Sequence, residues 1–243
     1  MVRRYRYRRR YSRLSNRRIF GSRSARSQAS QIAALRNRMN KYMAQNRPEI
    51  KQYIVSSDAF TLSSQASSGS YYRWKLTMPP QGTDGNERVG DKIKFKNINV
   101  FGYFEYYNSV GGYHDSESAG TPVRVIVVQD LTSPVNSVAP DIDDLLAVSS
   151  FSGQKYSLRA VSPFKPGISE LYKVLYDGKF NLTLANNQHS LDVNIHSLKD
   201  MEWIQDTPQN IFVYVIPCGL HWDANYTENV HGYVGAKIAF TDA

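Results

Sequence analysis

Guanidinium forks and aromatic rings alternate near the start of this sequence, in the run RYRYRRRY from Arg4 to Tyr11. With Arg3 before it and Arg13, Arg17, Arg18, Arg23 and Arg26 after it among serines, the segment is a dense row of cations. An arginine fork binds a phosphate through two parallel hydrogen bonds, and neutralising phosphates releases condensed counterions, so such a row holds a polyanion without reading its sequence. Tyr5, Tyr7 and Tyr11 add a second chemistry, because stacking of an unpaired base on an aromatic ring is worth ~1–3 kcal/mol. Single-stranded nucleic acid therefore suits the segment better than duplex. The same residues suit a nuclear-import signal, and the blander readings are a solvated basic tail or an Arg- and Ser-rich organellar transit peptide.

No other constellation offers comparable chemistry. Cys218-Gly219-Leu220-His221 brings a thiol near an imidazole in sequence, but it follows Pro217 and an apolar strand, as a structural cysteine at a strand end does. Asp141, Asp143 and Asp144 could offer oxygen ligands to a cation, yet they lack the alternation and glycine of a calcium loop and read better as a helix cap with exposed acids. His114, His189, His196, His221 and His231 show no zinc-site spacing, and Gly111-Gly112 lacks the lysine and hydroxyl of a phosphate loop. The sequence thus gives no metal site, no cofactor and no assembled acid, base and nucleophile, and the expectation is a protein that is not an enzyme.

Charge separates the chain into two parts. Residues 1–51 hold sixteen Lys and Arg against the single acid Glu49, whereas the remainder holds fourteen against twenty Asp and Glu. The leading segment is too charged and too poor in apolar residues to offset its chain entropy alone, so residues 1 to about 40 are expected to order only on a partner. Between Ser27 and Asn46 the texture changes: Ile32, Leu35, Met39 and Met43 recur at helical steps, with Arg36, Arg38 and Lys41 off that stripe. The spacing predicts a short amphipathic helix ended by Arg47-Pro48. Arg36, Arg38 and Lys41 join the arm residues as nucleic-acid-binding candidates.

From residue 49 onward apolar runs alternate with Gly, Pro, Asn, Asp and Ser clusters, the pattern of an all-β body. Strands are expected at residues 50–62, 71–77, 92–107, 123–129, 172–176, 179–184, 190–198, 211–216 and 233–240. Asp177-Gly178 reads as a two-residue hairpin turn placing Leu175 opposite Phe180. In 92–107 the apolar phase flips near Lys96-Asn97, which predicts a bulge or a passage between sheets. Eight or nine antiparallel strands with long end loops suit a single jelly-roll sandwich over 49–243, behind a basic arm over 1–48. Trp74, Trp203, Trp222 and the abundant tyrosines are expected partly at subunit interfaces. One cysteine excludes an internal disulfide, no apolar run approaches the ~20 residues of a membrane helix, so no membrane insertion is expected, and the opening does not read as a secretory signal. The sequons at Asn181 and Asn225 are accordingly expected to be idle.

The opening MVRRYRYRRRYSR, the length, the order of arm, helix and sandwich, and the stretch RVGDKIKFKNINVFG from Arg88 to Gly102 together resemble the capsid proteins of small circular single-stranded DNA viruses, the circovirus and cyclovirus type. The resemblance implies a homo-oligomeric icosahedral shell of sixty subunits, an inward arm on a single-stranded genome with DNA favoured, and import to the host nucleus through that arm. It further implies a host import receptor and a cell-surface receptor as partners, with the virion and the host nucleus as locations. Sixty arms would carry on the order of a thousand positive charges, matching a very small genome. The competing expectation is a cellular single-strand-binding or ribosomal-type β-protein with a basic tail.

Overall fold

The computed structural model describes residues 25–45, 48–63, 71–108, 120–132, 140–147, 158–196, 198, 201–204, 210–218, 220 and 227–242. The chain divides into two compact units, Met1–Pro48 and Glu49–Ala243. In the first, helix α1 runs from Ala25 to Gln45. Its alanines, glutamines, methionines and arginines are good helix formers, Ile32 is its only β-branched residue, and Pro48 just beyond forbids further turns.

The second unit is built from β1 (Lys51–Ser56), β2 (Phe60–Ser63), β3 (Tyr72–Lys75), β4 (Lys92–Asn108), β5 (Thr121–Asp130), β6 (Tyr172–Leu182), β7 (Gln188–Ile195), β8 (Glu202–Ile204), β9 (Ile211–Pro217) and β10 (Glu228–Asp242). One sheet runs β1-β10-β4-β7, with β2 added on β10 and β8 on β4; the other runs β3-β9-β5-β6. Every pairing between strands is antiparallel. The chain crosses from one sheet to the other after β2, β3, β4, β6, β8 and β9, so strands adjacent in sequence seldom neighbour each other within a sheet. That interleaving of two four-strand orders is a jelly roll.

Side chains from both inner faces form the main core, including Ile98, Val100, Phe104, Val125, Val127, Val213, Val215, Val234, Ile238 and Phe240. A second cluster lies on the opposite side of β5 and β9, where Ile126, Val128, Phe212, Tyr214 and Ile216 meet Ile142, Leu145, Leu146 and Ala160. The short helix α2 (Ile142–Leu145) supplies Ile142 and Leu145 to it. Two 3-10 turns, Leu158–Ala160 and Ile168–Glu170, continue this covering segment, which Phe164 and Ile168 pin to the sheet.

Two expectations change, and a third resolves to the first of its two alternatives. Asp177-Gly178 is not a turn: β6 continues through it, with Asp177 opposite Ile126 and Gly178 opposite Val125. A type I′ turn needs positive φ at both central residues, and Gly178 is not among the positive-φ glycines, which are Gly120 and Gly167. The Tyr176 ring lies over the space a Cβ at Gly178 would take. The run 50–62 splits into two strands at Ser57–Ala59, where Ser57 N–H donates to the Val234 carbonyl (2.7 Å), and both strands pair with β10. The phase flip in β4 is a bulge: Phe95 faces Phe240 and Asn97 faces Ala239, leaving Lys96 as the extra residue, yet β4 stays in one sheet beside β10 throughout. Finally, Trp74 packs against the main core while staying partly exposed, and Trp203 belongs to that core, 5.0 Å beneath the Arg88 guanidinium. Trp222 lies outside the described residues.

Candidate nucleic-acid interface

Of the cations singled out in the sequence, Arg26, Arg36, Arg38 and Lys41 stand on α1, all exposed. The remainder, Arg3, Arg4, Arg6, Arg8, Arg9, Arg10, Arg13, Arg17, Arg18 and Arg23, with Tyr5, Tyr7 and Tyr11, lie outside the described residues, as does the expectation that they order only on a partner.

The first turns of α1 are reinforced from within, Ser30 Oγ donating to the Arg26 carbonyl (3.0 Å) and Gln31 Nε2 to Ser27 Oγ (3.4 Å). At about 100° per residue, Arg38 and Lys41 share one side of the cylinder, Arg36 sits on another, and Arg26 lies about 15 Å back along the axis. The helix contains no carboxylate. Its cations are therefore spread over the polar surface rather than gathered into a pocket. Such an arrangement attracts a phosphate chain from many directions and selects no particular ligand geometry.

Cations of the β unit are used differently. Arg124, 2% exposed in the middle of β5, sends Nε and Nη2 to the two carboxylate oxygens of Asp177 (2.7 and 2.8 Å) and Nη1 to the Ser162 carbonyl (2.5 Å), with Phe164 against its plane. Lys51 pairs with Asp242 (3.0 Å) and donates to the Glu87 carbonyl (2.8 Å). Arg88 donates to the carbonyls of Pro79 and Gly90 (3.1 and 2.6 Å). Arg159 reaches Asp143 (2.9 Å), and Lys94 reaches Glu202 (2.9 Å), whose carboxyl it holds below the usual range. These five cations bind their own chain's oxygens. Nothing in the sequence marks Arg124 as structural except its position inside the apolar run Val123 to Val128.

Several side chains weighed for other chemistry have local partners, while His196 is exposed just beyond β7. Asp141 caps α2: its carboxylate accepts from Asp143 N–H (3.1 Å), while Asp144 accepts from Asp141 N–H (3.0 Å). This is the capping role expected of these acids. Cys218 is buried, and burial pushes its thiol pKa up, away from the reactive thiolate. Its carbonyl accepts from Thr121 Oγ1 (2.6 Å), which ties the end of β9 to the start of β5. His189 stacks on Phe180 with centroids 3.9 Å apart, and burial lowers its pKa. His231 shares a hydrogen bond with Thr61 (3.0 Å) and meets the edge of Tyr107. His114, His221 and Gly111-Gly112 are outside the described residues. Among the described residues no group of three His, Cys, Asp or Glu is placed to hold a metal ion.

No family model matches the chain, and no curated protein matches it. Solved structures do. The decameric BFDV capsid protein aligns over 79% of this chain and 99% of its own, with 10% identity and a TM-score of 0.32. A structure of the infectious bursal disease virus Gt strain aligns over 82% of this chain with 9% identity and a TM-score of 0.30. The VP2 subviral particle of the same virus aligns over 81% with 9% identity and a TM-score of 0.29. The chain spans 38% of the length of each of these last two chains. The jelly roll itself rests on the strand order above.

Proposed function

We propose that this chain is the coat subunit of a small virus, its jelly roll forming a homo-oligomeric shell and its arm holding a packaged single-stranded genome. The observation that carries the reading is the segregation of charge. Met1–Pro48 contains no acid at all, while the jelly-roll unit is net negative and spends its buried cations on its own carboxylates and carbonyls. Polyanion binding therefore falls to the arm, Arg3 to Arg26 with Arg36, Arg38 and Lys41, and the sandwich is left to bind other copies of itself. Sixty subunits, DNA as the packaged strand, import to the nucleus through the arm, and import and cell-surface receptors belong to the same proposal.

The test has two arms. Sedimentation and electron microscopy of the purified chain should show large closed particles; monomers persisting across concentration, salt and added single strands refute a coat subunit. Replacing Arg4, Arg6, Arg8, Arg9 and Arg10 with glutamine should weaken single-strand binding and flatten the slope of log affinity against log salt by up to about 0.7 per lost phosphate contact. Replacing Tyr5, Tyr7 and Tyr11 with alanine should weaken binding with little change in slope, since stacking releases few ions. An arginine variant that binds like the parent at every salt concentration removes the arm from packaging.

A further inference from the structure

Ile32, Leu35, Met39, Tyr42 and Met43 are each more than half exposed on α1. At about 100° per residue they fall within an arc of about 100°, the width of one core-facing stripe. Arg36 borders that arc on one side and Arg38 on the other, while Lys41 stands opposite. A partner for this surface must offer apolar area along the stripe and negative charge along both margins.

Three partners compete for it. Pairing with α1 of a second copy would bury the stripe as a two-heptad seam about 18 Å long, shorter than a stable coiled coil. It would also set Arg36 and Arg38 at the flanking positions, where no acid exists on either helix to answer them. Single-stranded nucleic acid answers the cations but offers little to Ile32, Leu35, Met39 and Met43, because base stacking uses aromatic rings and Tyr42 is the one ring on the stripe. A bilayer surface bearing anionic lipids answers both demands at once. Its acyl boundary takes the apolar side chains, while Arg36 and Arg38 extend their stems along it and place their forks among the headgroups.

We propose that α1 is a membrane-surface helix, which lies in the interface of an anionic bilayer with Ile32, Leu35, Met39, Tyr42 and Met43 facing the lipid. It lies on the bilayer and does not cross it: among the described residues no helix is long and apolar enough to span one. This function is separate from shell formation and holds whether or not the chain is a coat subunit; it shares Arg36 and Arg38 with packaging, so α1 serves one polyanion or the other at a time.

The test is flotation of the full-length chain with phosphatidylcholine vesicles, with and without phosphatidylserine, at physiological and at molar salt. Parent protein should float with the phosphatidylserine vesicles and stay bound in molar salt, because salt screens the charges and leaves the apolar contact intact. The combined variant Ile32→Gln, Leu35→Gln, Met39→Gln keeps every arginine and uses a good helix former. Its salt-resistant binding should fall on the order of a hundredfold or more. The glutamine variant of Arg4 to Arg10 should lose only the salt-sensitive part. Absence of parent binding, or salt-resistant binding that survives the triple substitution, overturns the proposal. So does a triple variant whose change appears in particle size or single-strand affinity instead of flotation, since the stripe then serves a protein or nucleic-acid contact.

Discussion

Removing Asp177 should cost this protein more than removing its buried partner Arg124. Arg124 is 2% exposed and binds Asp177 through two parallel hydrogen bonds of 2.7 and 2.8 Å, while Asp177 keeps 30% of its side chain in solvent. Asp177→Ala leaves a guanidinium buried with only the Ser162 carbonyl and the Phe164 ring to answer it. Breaking a buried pair from one side costs 3–5 kcal/mol in general, and the partial exposure of Asp177 argues for the lower end, about 3 kcal/mol. Arg124→Met removes the buried charge itself, lets Asp177 turn to water and forfeits one hydrogen bond to Ser162, a loss of about 1–2 kcal/mol. The double variant should therefore be more stable than Asp177→Ala alone, although it carries one more substitution. Urea unfolding of the full chain, followed by tryptophan fluorescence at one protein concentration, measures all four corners of the cycle. If Asp177→Ala lies within about 0.5 kcal/mol of the parent, or the double variant is the least stable of the set, the account of a charge held in the sheet by its fork is wrong.

Two further outcomes follow from burial. His189 has its pKa lowered from 6.5 by burial against Phe180, so the folded chain favours the neutral ring and the unfolded chain takes up the proton first. Stability should therefore fall as pH drops below 6.5 toward the lowered folded value, by more in the parent than in His189→Gln; a parent that gains stability over that window reverses the sign and the argument. Cys218 should resist alkylation at pH 8 in the native protein and react fully in urea, since burial both raises its pKa and blocks access. Labelling at equal rates in both states would contradict the placement of β9.

How much of the jelly roll shows in the sequence depends on which sheet a strand joins. In β7, Leu191, Val193 and Ile195 turn inward and Asp192, Asn194 and His196 outward, an alternation visible in the sequence because one face of that sheet is open. The flip at Lys96 was legible for the same reason: a bulge shifts an alternating pattern by one residue, and the pattern was clean enough to show it. β8 escaped because three residues carry no period, and it exists only as an addition to Lys92–Lys94. Asp177-Gly178 misled because local turn propensity is a weak term against a long antiparallel ladder, and its aspartate is claimed by an arginine fifty-three positions earlier in the sequence. The helix cap at Asp141 was readable because a cap needs only its neighbours. The arm's density of cations is legible from composition alone.

The unbroken apolar runs mark the sheet that is covered on both sides. Ile211 to Ile216 has no alternation because Val213 and Val215 face the main core while Phe212, Tyr214 and Ile216 face the second cluster. The same holds for Val125 and Val127 against Ile126 and Val128 in β5. A strand buried on both faces cannot show polar residues on either. The cover over β5 and β9 is the chain's own segment 140–147 and 158–171. On the other sheet the outward positions of β4, β7 and β10 stay polar or aromatic, with Asn99, Asp192, Asn194 and Tyr233 at the surface. Over β5 and β9 the outer face of the β3-β9-β5-β6 sheet is taken by the chain itself, while Arg73 and Lys75 of β3 and Lys179 and Asn181 of β6 remain exposed. Within this second unit, a search for subunit or genome contacts through a sheet face starts at β1, β10, β4 and β7.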